Sequence, residues 1–89
     1  MALTKEIVVD KIEVMEMGEV QVRTATRVLE DGAVLSTSFH RHYLEPSTKD
    51  SGSWADTDIS GEDARVQAVA NATWTNSVKT AYQAMIDAT

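Results

Sequence analysis

Two short stretches of the chain hold side chains suited to chemistry. Ser38-Phe39-His40-Arg41-His42 sets two imidazoles two positions apart, so on a strand both project from one face and raise the question of a metal ion or a general base. Asp56-Thr57-Asp58-Ile59-Ser60-Gly61 follows the first six positions of an EF-hand calcium loop, with Ser60 as the third ligand. The second match ends quickly. Its twelfth position is Gln67, where a bidentate glutamate belongs, and no helix is expected ahead of it. A helix cap with solvated acids is the favoured reading.

The elements that must position these residues begin as strands. Asp31-Gly32 lies between β-rich runs and predicts a two-residue hairpin turn, because both turn positions need positive φ. That turn pairs Val28 with Leu35, Thr26 with Thr37, Thr24 with Phe39, Val22 with Arg41 and Val20 with Tyr43, and gathers the large apolar groups on one face. Gly18, as the left-handed third residue of a Glu16-Met17-Gly18 loop, pairs Val14 with Val20, Ile12 with Val22 and Val8 with Thr26. Ile7 and Val9 then have the wrong parity. A bulge near Asp10-Lys11, or burial of both faces there, reconciles them. The expectation is an antiparallel meander over 4–44, with strands at about 4–16, 19–30 and 33–44 and the second in the centre.

Residues 45–60 carry the only proline among many Ser, Asp, Thr and Gly, which predicts a long loop. Its Trp54 either pins the loop to the domain's own core, the favoured role, or anchors it in a neighbouring subunit. Ser60-Gly61-Glu62-Asp63 resembles a capping box. From Val66 to Ile86, apolar residues recur at spacings of three and four, predicting one amphipathic helix over 61–87, about 38 Å long at 1.5 Å per residue. Ala64, Ala68 and Ala72 form a second stripe, read as alanine's helix preference rather than a helix contact. Together these make a single α+β domain over 1–89, β-β-β-α, with the long helix packed on one sheet face.

In that register His40 lies opposite Arg23 and His42 opposite Gln21, turned away from the helix, with Lys11 and Arg27 close by. Cationic neighbours disfavour a divalent ion, and Glu13 is the single acid expected near enough to serve as a third ligand. A solvated sheet face also lacks the cavity and oriented nucleophile that a histidine base requires. Lys11, Arg23, Arg27, His40 and His42 instead form a locally basic face suited to an acidic protein surface. With Trp54, these are the candidate protein-contact residues. No catalytic, cofactor or metal residue is assigned.

The balance of 14 acidic to 8 basic residues, net −6, is the wrong sign for phosphate-driven nucleic-acid binding. No run of 18 apolar residues suggests a membrane span or signal peptide. Without cysteine there are neither disulfides nor thiolate metal sites, and the redox compartment stays open. Eighty-nine residues bury a small core, so association with other chains is expected to support the fold.

Taken together, MALTKEIVVDKIEV, VQVRTATRVLEDG, SFHRH and ISGEDARVQAV resemble a group of small, functionally uncharacterised proteins of tailed bacteriophages, especially marine ones. The resemblance covers most of the chain. It implies a phage-encoded virion component, made in the host cytoplasm, and transfers no catalytic residue. The expectation is a non-enzymatic structural or assembly protein of capsid, neck or tail, contacting copies of itself or other virion proteins. No cofactor, nucleic acid, membrane or small-molecule substrate is expected. The alternative is a small regulatory module whose basic face or edge strand captures a host protein.

Overall fold

The computed structural model describes residues 2–89. It is an α+β fold in the order β1 (Leu3–Val14), β2 (Val20–Glu30), β3 (Ala33–Leu44), β4 (Ser47–Asp50), β5 (Ser53–Asp56), α1 (Ala64–Thr73) and α2 (Asn76–Asp87). β1, β2 and β3 make an antiparallel sheet with β2 central, while β4 and β5 pair separately.

Both turns of the meander form as their residues require. Asp31 and Gly32 have φ of 51° and 86°, and Glu30 pairs with Ala33. Gly18 has φ of 92°, and Val14 pairs with Val20. The ladder between β1 and β2 shifts by one residue between Val9 and Lys11. This is the expected bulge, and it brings Val9 and Ile7 onto the face of Ile12 and Val14.

A second bulge overturns the expected register of β3. Leu29 still pairs with Val34, but Val28 pairs with Ser36, leaving Leu35 as the extra residue. Every later partner moves by one: Thr24 faces His40, Val22 faces His42 and Val20 faces Leu44. A slip of one residue exchanges the two faces. His40 and His42 therefore look toward the helices, and Phe39 and Tyr43 look away. Leu44 gains burial by the shift, because it packs against the core from this position.

The single helix over 61–87 is also corrected. Asp63, not Ser60, caps α1, accepting from the Arg65 amide. The chain leaves helical geometry at Trp74, with ψ of 68°, and Thr75 starts α2 as its N-cap, its hydroxyl accepting from the Val78 amide. Thr75 offers the backbone a cap in place of continuation, the usual way in which Ser and Thr compete with a helix. Trp74 fixes the break, its indole N–H donating to the Gly18 carbonyl at 2.7 Å.

The expected loop over 45–60 also holds structure. Ser51 and Gly52, with φ of 51° and 84°, make the tight turn of the β4–β5 hairpin. The hairpin lies on α2: Trp54 meets Tyr82 edge to face at 6.3 Å, and Lys49 reaches Asp87 at 2.9 Å. Trp54 thus pins this segment to its own chain.

The core joins Val20 and Val22 of β2 to Val66, Ala70 and Trp74, with Val9, Ile12, Leu44, Ile59, Val69 and Val78 around them. All of this sits near the Gly18 end of the sheet. The remainder of the meander runs on past the helices, giving extents of 56 × 23 × 22 Å.

Candidate protein-protein interface

The sequence directs attention first to the histidines. The His42 Nε2 lies 2.8 Å from a Glu62 carboxylate oxygen, and His40 stacks on His42 with centroids 6.2 Å apart. β3 supplies both imidazoles on one face because alternate strand residues share a face. Glu62 arrives from the turn before α1, where its backbone amide is bonded to the Ile59 carbonyl. Chemically this is a tether between the sheet and the start of α1. Among the described residues, no group of three or more His, Asp or Glu side chains is arranged to hold a metal ion.

The proposed basic face divides in two. Lys11, Arg23 and Arg27 lie on the side away from the helices, and each has its own acid: Glu13 at 3.3 Å, Asp10 at 2.8 Å and Glu6 at 3.5 Å. Arg23 is the best held. It grips Asp10 with two hydrogen bonds, and its guanidinium lies 4.4 Å from the centroid of the Phe39 ring. The paired guanidinium holds the Asp10 carboxyl below its ordinary value and raises that of Arg23. The bulge that places Asp10 here is what makes the pair.

The Asp56–Gly61 acids are likewise engaged. Asp56 accepts from Lys79 at 2.9 Å and Asp58 from the Ser60 amide at 2.9 Å. That amide bond keeps the Asp58 carboxyl below the usual range. Concave space is modest. The hollows lined by Met17, Val78 and Ala81 and by Gln21, Arg41 and Tyr43 measure about 190 Å³ each, below the ~300 Å³ where ligand pockets begin.

A different surface emerges that charge patterning did not mark. Beyond the helices the sheet is uncovered on both sides, and every residue from Ala33 to Arg41 is exposed. Apolar side chains stand in solvent along it: Ile7 is 65% exposed, Leu35 57% and Phe39 50%. Leu3 and Val34 are similarly open, and Tyr43 is open on the outer face of the covered end. The two bulges place some of these groups on each face, so no single helix could cover them all. Large apolar side chains exposed together mark an interaction surface.

The two sheet edges differ as well. β1 carries Lys5, Glu6, Asp10, Lys11 and Glu13 and a central bulge, the usual guards against pairing with another strand. β3, AVLSTSFHRHYL, has Arg41 as its one permanent charge. The signal that could have found this edge was the uncharged run Ala33–Phe39, which reads at first as an ordinary hairpin arm. No family model, curated protein or solved structure matches the chain.

Proposed function

We propose that this chain is a non-enzymatic assembly protein, acting through protein-protein contacts within the particle of a tailed bacteriophage as a capsid, neck or tail component. The observation that carries the reading is the uncovered sheet arm: a chain with a small core leaves its large apolar groups outside that core, on a surface suited to another protein. The resemblance of its strand and helix-start segments to small phage proteins supports the setting. In this reading the helical end is the folded platform and the arm is the working surface.

Mass measurement in dilute solution, together with proteomics of purified virions, tests it. Assembly beyond the monomer and recovery of the chain from particles are expected. A strictly monomeric chain missing from purified particles would overturn the proposal. The open β3 edge equally suits capture of a host protein by strand addition. One stoichiometric host partner, retained from lysate in place of self-assembly, would favour that second reading.

A further inference from the structure

Building on that reading, we infer that the partner of the β3 edge is a second copy of the same strand, joined antiparallel across a two-fold axis near Thr37 to make a continuous six-stranded sheet. Failure of this inference leaves the assembly reading standing on its other surfaces.

Three observations select this occupant. The first is the contrast in charge between edges: each edge has one bulge, but β1 carries five charged side chains, whereas β3 is uncharged from Ala33 to Phe39. Its outward N–H and C=O groups are a template for another strand.

The second is charge complementarity between copies. An antiparallel pair centred on Thr37 sets each Ser38 against Ser36 of the other copy. The Leu35 bulge then keeps the faces in step, so Phe39 meets Val34 across the join. Arg41 comes beside the other copy's Asp31-Gly32 corner, where Asp31 and Glu30 supply negative charge. No like charges face each other. A shift toward Leu44 that centred the pair on Arg41 would instead oppose identical guanidinium groups.

The third is area. Phe39, Val34 and Leu35 are 50%, 53% and 57% exposed, so together they offer on the order of 250 Å² per copy. That is about a third of the ~800 Å² per partner found in a standard interface. Ser36, Thr37, Ser38 and the backbone edge supply the rest. An isologous contact of this kind closes on itself, which limits it to a dimer and spares the chain open-ended growth.

The natural absence of cysteine gives a clean experiment. Thr37→Cys is expected to form a disulfide-linked dimer under mild oxidation, while Lys5→Cys on the other edge is not. Thr37→Lys, which sets two ammonium groups face to face at the axis, is expected to raise the dimer dissociation constant about tenfold or more in sedimentation. Thr37 is exposed, and an unchanged circular dichroism spectrum would establish that the variant is folded. If the unmodified chain assembles but Thr37→Lys assembles equally well and Thr37→Cys fails to cross-link, the β3 edge is the wrong surface. If the unmodified chain is monomeric at its highest soluble concentration, self-assembly itself is overturned.

Discussion

The two ends of the sheet obey different rules. Near Gly18, β2 presents Val20 and Val22 to a helix pair, and Trp74 closes the contact by bonding the Gly18 carbonyl. Near Asp31, the same strands carry equally apolar side chains with nothing over them. One end is stabilised by burial within the chain, whereas the other retains the same kind of surface in contact with water. The break at Trp74 separates them, because it folds α2 back toward β4 instead of along the sheet.

That contrast orders the expected effects. Trp74→Ala removes a buried aromatic ring and its hydrogen bond, and should lower unfolding free energy by about 3–5 kcal/mol in urea titration. Gly18→Ala comes next. A Cβ there would stand 2.5 Å from Val78 Cγ1 on a backbone with φ of +92°, so a loss of more than about 1 kcal/mol is expected.

Tyr82, 5% exposed, offers a titration of the covered end. Burial, with the Glu45 carboxylate alongside, pushes its phenol from 10.0 up to about 12. The folded chain therefore holds this proton more tightly than the unfolded one. Its contribution is complete below pH 10 and declines as pH rises toward 12. Tyr82→Phe should flatten the stability profile within that window.

Substitution in the arm should behave in the opposite sense. Val34→Ser or Ile7→Thr should leave the monomer's stability within about 0.5 kcal/mol, because these side chains bury little in the monomer. Loss of association at matched concentration would sharpen the contrast. A large loss of monomer stability would break it. Smallest of all is Asp87→Asn. Bonds from Lys49 and Trp54 hold the Asp87 carboxyl below its ordinary 3.8, so its contribution is present above that pH and fades as pH falls through the lowered value. The variant should remove a slight acid-side slope.

Much of the meander was legible because its turn chemistry is local. Asp31-Gly32 and Gly18 demand positive φ, and the parity conflict of Ile7 and Val9 announced the first bulge. The second bulge had no such mark: Val34 and Leu35 are adjacent apolar residues and Ser36–Ser38 are polar, so β3 lacks the alternation that fixes a face. With that slip went the placement of His40 and His42. The broken helix was hidden for a related reason. The apolar period continues across Trp74 and Thr75, and only the distant Gly18 carbonyl shows why the indole must turn aside. Ser51-Gly52 did carry a hairpin signal, obscured by polar residues flanking it. Trp54, favoured as a pin to the domain's own core, meets Tyr82 and Asp87 of α2 outside that core.

The most direct measurement is amide hydrogen exchange at low and high protein concentration. Protection at Val20, Val22 and Ala70 should be independent of concentration, while amides along Ser36–Arg41 should slow as concentration rises. Exchange along β3 that stays fast at every concentration, or that is already as slow as the core in the dilute monomer, would contradict the division of the molecule into a covered platform and an open arm.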